Sequence, residues 1–281
     1  DAFYAVSAQT GATKTDSWID IDGGIGTFFA YASRGRREFP NETFHVEGPT
    51  EPLSKNGTFV GRHICVPLEG VAIHINAFNF PVWGMLEKLA PALLAGVPAI
   101  VKPATATSYL TEAVFREMIA ANILPAGAVQ LICGSAGDLL EHVTEQDAVA
   151  FTGSAATGRM LKESKAIVEH AVRFNMEADS LNCAILAPDA APGTEEFDLF
   201  VKEVVKEMTV KAGQKCTAVR RTIVPAGMEE DVIRAIRTRL EKTVVGDPSV
   251  EGVRMGPLAS KAQVRDVGLA AERIRAAAER V

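Results

Sequence analysis

From residue 70 to residue 177 the chain alternates short apolar runs of strand length with segments whose apolar residues recur at helical spacing. Residues 70–78, 98–102, 129–133 and 148–152 read as buried strands. Residues 81–95, 107–121, 137–143 and 155–164 read as the helices around them. In the first of these helices Trp83, Leu86, Leu89, Leu93 and Leu94 fall near one face, and Gly96 stops it. Thr107 or Ser108 is the candidate cap of the next. Strands that follow one another through helices must run parallel, because a tight turn can join only antiparallel neighbours. The pattern therefore specifies an α/β chain built on a Rossmann-like parallel sheet.

The flanking segments are less regular. Residues 2–10 and 15–34 read as two helices, and the second contains Gly23-Gly24-Ile25-Gly26. A phosphate loop needs a strand before its glycines and none precedes these, so close helix packing is the expected use. Residues 35–60 read as an irregular connection with short strands. After the alternating region, strand-like runs at 171–176 and 181–186 flank Glu177-Ala178-Asp179-Ser180. A helix over 196–212 carries Phe197, Phe200, Val201, Val204, Val205 and Met208 on one face. A strand at 222–225, a helix at 228–243, a loop over 245–258 and a polar helix over 260–281 follow. The division expected is a first domain over 1–180 and the beginning of a second over 181–281. The first residue, an Asp in what reads as a helix, suggests a segment of a longer protein.

Composition restricts the partners. A net charge of -6 without a basic face argues against nucleic acid and anionic membrane. The four cysteines, Cys65, Cys133, Cys183 and Cys216, lie far apart with no Cys-x-x-Cys pair and no histidine cluster. Reduced thiols, a cytoplasmic location and no structural metal are expected. No apolar run reaches the roughly 18 to 20 residues of a membrane span.

Cys216 stands in Lys211-Ala212-Gly213-Gln214-Lys215-Cys216, with Arg220 and Arg221 close behind. Neighbouring cations lower a thiol pKa from about 8.5 and favour the nucleophilic thiolate. A buried structural cysteine is the competing reading.

Four stretches bear on that choice together: Asn76-Ala77-Phe78-Asn79-Phe80-Pro81, Lys102-Pro103-Ala104-Thr105, Phe151-Thr152-Gly153-Ser154, and Met176-Glu177 with Gly213-Gln214-Lys215-Cys216. Their order and spacing resemble the aldehyde dehydrogenase superfamily over nearly the whole chain. Within it, the resemblance is greatest to the branch acting on CoA-linked semialdehydes in phenylacetate degradation, with the benzoyl-CoA branch second. The resemblance implies that Cys216 attacks the aldehyde carbon and that Asn79 and the Cys216 N–H bind the resulting oxyanion. It also implies that Glu177 activates the water that releases the acid. A glutamate at this position favours hydrolysis over transfer of the acyl group to coenzyme A.

For the cofactor, the resemblance implies a binding set of Ala77, Phe78, Lys102, Ala104, Thr105, Gly137, Phe151, Thr152, Gly153, Ser154 and Ala178. Lys102 is placed to reach the adenosine ribose or its phosphate. Members that prefer NAD usually carry a glutamate where this chain has Thr105, and that carboxylate would repel a 2'-phosphate. NADP is therefore expected over NAD, with NAD possible. Gly153 and Ser154 open a helix whose N–H groups can bind pyrophosphate. Ala178-Asp179-Ser180-Leu181 replaces the Leu-Gly-Gly-Lys usual in the superfamily. A homo-oligomer is expected of the whole protein. Other aldehydes, such as dehydroadipyl-CoA semialdehyde, and a non-catalytic nucleotide-binding module are the alternatives.

Overall fold

The computed structural model describes residues 2–279. The chain begins with α1 (Ala2–Ala8) and α2 (Lys14–Glu38), then forms an antiparallel hairpin, β1 (His45–Pro52) and β2 (Val60–Cys65). There follow β3 (Ala72–Ile75), α3 (Trp83–Leu94), β4 (Ala99–Lys102), α4 (Ser108–Ala120), β5 (Val129–Leu131), β6 (Ala148–Gly153), α5 (Ala155–Lys162), α6 (Lys165–Glu169) and β7 (Arg173–Ala178). The last part consists of β8 (Cys183–Ile185), α7 (Glu195–Thr209), β9 (Arg221–Ile223), α8 (Glu229–Leu240) and α9 (Lys261–Ala277). No helix among the described residues is long and apolar enough to cross a membrane.

Five strands make one parallel sheet in the order β5-β4-β3-β6-β7. The chain starts in the middle, winds outward through β4 and β5, then returns to the other side of β3. The strand order thus reverses between β3 and β6, and the crevice at the carboxyl ends of such strands is where open parallel sheets take ligands. Alternation along β3 divides the core. Ala72 packs with Val82, Met85, Leu86, Leu89, Leu110 and Val114 on one face, while Ile73 and Ile75 pack with Val149, Phe151 and Ile167 on the other. A third apolar cluster, around Phe197, Val201 and Val232, joins α7 and α8 beside the parallel pair β8–β9.

Of the glycines expected to pack closely in α2, Gly23 and Gly24 do so, whereas Gly26 is exposed with open space around it. A Cβ on Gly24 would lie 2.9 Å from Trp83 Cα, and one on Gly23 would lie 2.3 Å from the Trp83 ring. Helix α2 starts from a capping box in which the Thr13 side chain accepts the Asp16 N–H and the Asp16 carboxylate accepts the Thr13 N–H, each at 3.3 Å.

Three differences from the sequence reading have local causes. The helix expected over 137–143 is a 3-10 turn at Leu139–Glu141, since Gly134 (φ +106°) and Gly137 (φ +56°) break the backbone and the turn itself buries only Leu140. Too few residues remain to offset the cost of nucleating an α-helix. Helix α6 has five residues and buries only Ile167, which leaves no periodicity to detect. Helix α7 ends at Thr209, three residues before the expected end, because Lys211, Ala212 and Gly213 are all left-handed, at φ +52°, +53° and +73°. The expected C-terminal helix stops at Ala277, and its last two positions, 280 and 281, lie outside the described residues.

Candidate active site

Three segments meet over the carboxyl end of the sheet. The first leaves β3 and enters α3 through Asn79, Phe80 and Pro81. No side chain of its own caps α3. Asp20, reaching across from α2, accepts the Val82 N–H at 3.1 Å and the Trp83 N–H at 2.8 Å. Burial pushes the Asp20 carboxyl up to about 6, against the opposing pull of Lys211 and of the two N–H donors. The second segment is the end of β7, where Glu177 lies beside Thr152 of β6 in register, with the Thr152 hydroxyl 3.4 Å from Glu177 Oε2.

The third is the left-handed turn after α7. Asp16 Oδ1 accepts the Lys211 N–H at 3.1 Å and lies 3.6 Å from Arg254. The Lys211 side chain is buried, with its ammonium 5.3 Å from the centre of the Phe80 ring. Desolvation lowers its pKa, opposed by Asp20 and Asp16. The turn then delivers an exposed Cys216.

Asn79, Glu177 and Cys216 line one cavity of about 330 Å3, together with Ala77, Thr152, Lys215 and the apolar side chains of Ile19, Phe80, Trp83 and Val210. The arrangement offers a thiol nucleophile, an amide donor and a carboxylate base within an apolar wall. Such a set can attack a carbonyl carbon, hold the oxyanion and activate water.

The cations near Cys216 in sequence have other partners. Lys215 Nζ pairs with Glu207 at 2.8 Å, Arg220 donates to the Gly213 and Lys215 carbonyls at 3.1 and 3.0 Å, and Arg221 donates to the Leu181 carbonyl at 2.8 Å. Each of these three cations is thus bonded to a group other than the thiol. The two arginines organise the backbone of the turn and its surroundings.

The residues expected to hold a cofactor are spread along and beyond the carboxyl ends of β3, β4, β5, β6 and β7. Ala77 lines the cavity, and the Phe78 carbonyl accepts the Thr107 hydroxyl at 3.1 Å. Thr107, the candidate cap of α4, therefore bonds to a different segment and makes no side-chain cap. Lys102 ends β4 half-buried, and desolvation lowers its pKa. Ala104 leads into a 3-10 turn containing Thr105, whose hydroxyl lies 3.4 Å from the Gly134 carbonyl. Lys102 at the end of β4 and Thr105 in this turn offer a cation and a hydroxyl, donors that fit a phosphorylated ribose.

Beyond β6, Gly153 pairs with Ala178 of β7, and the Ser154 hydroxyl caps α5 by accepting the Thr157 N–H at 3.3 Å. Phe151 is 3% exposed and belongs to the core, so its ring faces away from solvent. Gly137 sits in the exposed loop after β5. At the start of α5, Asp179 accepts the Ala155 N–H at 3.2 Å, so a carboxylate already occupies part of the helix end expected to take pyrophosphate. Sequence reading missed Asp179, Asp16 and Asp20. For the last two the available signal was their i, i+4 spacing on the face that also carries Gly23 and Gly24.

The sequence model of the aldehyde dehydrogenase family matches residues 2–281. The 3,4-dehydroadipyl-CoA semialdehyde dehydrogenase of Aromatoleum evansii is 52% identical over 262 residues, covering 93% of this chain and 51% of that one. The alpha-ketoglutaric semialdehyde dehydrogenase of Bacillus subtilis is 34% identical over 202 residues, covering 71% and 40%. Among solved structures, a betaine aldehyde dehydrogenase mutant of Staphylococcus aureus in complex with NAD+ superposes with a TM-score of 0.81 at 23% identity, over 98% of this chain and 53% of that one. The chain thus spans about half the length, or less, of these relatives.

Proposed function

The chain belongs to the aldehyde dehydrogenase family, and on that premise we propose that the protein oxidises an aldehyde to a carboxylic acid, with NADP preferred over NAD as cofactor. The observation that carries this reading is the meeting of Cys216, Glu177 and Asn79, from three separate segments, around one cavity. Cys216 Sγ attacks the aldehyde carbon and forms a thiohemiacetal. Its oxygen is held by the Asn79 carboxamide and the Cys216 N–H, donors aimed at charge that develops only during the reaction. A bound cofactor would supply the hydride acceptor needed to take the thiohemiacetal to a thioester. Glu177 then takes a proton from the water that attacks the thioester, releasing the acid and restoring the thiol. Lys102 and Thr105 hold the phosphorylated ribose in this reading. Residues 1–180 form the cofactor domain, and residues 181–281 begin the catalytic domain.

The substrate we assign is a CoA-linked semialdehyde from aromatic ring cleavage. Support comes from the 52% identity to the Aromatoleum evansii enzyme, whose name specifies 3,4-dehydroadipyl-CoA semialdehyde. That compound is the first substrate to try.

The test uses the full-length protein with NADP and this semialdehyde, following absorbance of the reduced cofactor. Cys216→Ala abolishes acid formation. Glu177→Gln gives a burst of reduced cofactor and then stalls. Normal turnover by Glu177→Gln would remove the base from the mechanism, and retained NADP binding without turnover of any aldehyde would favour a nucleotide-binding module.

A further inference from the structure

The turn around Cys216 is held almost entirely through its carbonyl groups. Ser180 Oγ donates to the Cys216 carbonyl at 2.7 Å, and Asn182 Nδ2 donates to the same oxygen at 2.6 Å and to the Ala218 carbonyl at 3.3 Å. Arg220 closes the other side with Nη1 on the Gly213 carbonyl at 3.1 Å and Nη2 on the Lys215 carbonyl at 3.0 Å. The Lys215 carbonyl also accepts the Ala218 N–H at 3.2 Å. Arg220 is itself fixed, because its N–H donates to the Asn182 carbonyl at 2.8 Å.

The Lys215 carbonyl and the Cys216 N–H belong to one peptide plane and point in opposite directions. A guanidinium that holds the carbonyl on one side therefore aims the N–H to the other. Among the described residues no acceptor is bonded to the Cys216 N–H.

We propose that Arg220, Ser180 and Asn182 are positioning residues that clamp the two peptides flanking Cys216 and so aim its N–H at the reacting oxygen. The inference rests on the thiol mechanism proposed above. Ser180 and Asn182 lie three and five residues beyond Glu177, in the connection between β7 and β8, so the segment that follows the base also anchors the turn that carries the nucleophile. Aligning an oxyanion donor affects the transition state more than the bound substrate, so the clamp acts on kcat. It leaves the thiol equally accessible.

The test again uses the full-length protein. Arg220→Met lowers kcat by roughly 10- to 100-fold, a loss below the ~100- to 1,000-fold of removing an oxyanion donor outright. KM for the aldehyde, NADP affinity and the rate at which iodoacetamide alkylates Cys216 stay within about threefold. Arg220→Lys, which can still reach one carbonyl, recovers part of the loss. Ser180→Ala, a smaller perturbation, lowers kcat by roughly three- to tenfold with the same pattern. The proposal is overturned if both Arg220→Met and Ser180→Ala keep kcat within twofold. It is equally overturned if the fall in kcat comes with changes of more than threefold in KM and in the alkylation rate, as in a turn that has simply come apart. Activity surviving in Cys216→Ala would sink the thiol mechanism itself. Loss in Cys216→Ala with none in the clamp variants would sink only this inference.

Discussion

Gly24 and Gly26 lie two residues apart in α2, and alanine should act on them in opposite directions. At Gly24 the new methyl would stand 2.9 Å from Trp83 Cα and 3.1 Å from Trp83 N. Carbon atoms pack best at about 3.5 to 4.0 Å, so the two helices must part by roughly 0.5 to 1 Å. Overpacking against backbone costs about 1 to 3 kcal/mol, while replacing a helical glycine by alanine returns about 1 kcal/mol. At Gly26, which is exposed, an added methyl meets nothing within 4 Å. There only the gain in helix propensity remains. The propensity term is common to both variants, so the difference between them, about 1 to 3 kcal/mol, isolates the helix contact.

Urea unfolding of the two variants and the parent at equal protein concentration measures that difference. Gly24→Ala should have the lowest midpoint and Gly26→Ala the highest, with equal slopes. The effect should also reach the site, because Trp83 lines the cavity and its N–H is held by Asp20. Gly24→Ala should therefore lower kcat/KM while Gly26→Ala leaves it unchanged. Equal stability of the two variants would refute the close approach of α2 to α3.

Three further outcomes follow from the same geometry. Thr105→Glu should lower the NADP/NAD ratio of kcat/KM by about tenfold or more through repulsion of the 2'-phosphate, and an unchanged ratio would defeat the assignment of that turn. Asp179→Asn should tighten NADP binding by about two- to fivefold in a fluorescence titration, since it removes a carboxylate bonded to the Ala155 N–H; weaker binding would mean that the acid supports the helix instead of competing with the cofactor. Asp20, raised from 3.8 to about 6, contributes stability that is full below about 3.8 and lost as pH rises through 6, whereas His74, buried in β3 and lowered by desolvation and Lys88 from 6.5 to about 4, contributes stability that is full above 6.5 and lost as pH falls through 4. Each is worth about 3 kcal/mol and they oppose, so Asp20→Asn should make the stability rise with pH between 4 and 6.5, and a flat profile in that variant would contradict the burial of His74.

The sheet was legible because each of its inner strands is short, apolar and followed by a turn, and a parallel strand covered on both faces needs no other signal. Pairing of the chemical segments was legible only as an ordered set, since neither Asn79 nor Glu177 is distinctive alone. What the sequence hid were long-range polar contacts. Asp16 and Asp20 look like the solvated face of a helix, yet Asp16 holds the Lys211 backbone, 195 residues away, and Asp20 caps a helix 62 residues on. The same distance misdirects the reading of the cations. Lys215 and Arg220 stand beside Cys216 in the chain, and proximity alone suggests that their charge acts on sulfur. A side chain close to a turn in sequence can as easily reach back to the carbonyls of that turn, which are bare because no helix or strand consumes them. Around Cys216 those carbonyls bind the nearby side-chain donors. The two arginines are thereby accounted for by the backbone they hold and Lys215 by its pair with Glu207, so a charge reversal at Lys215 should disturb that pair first.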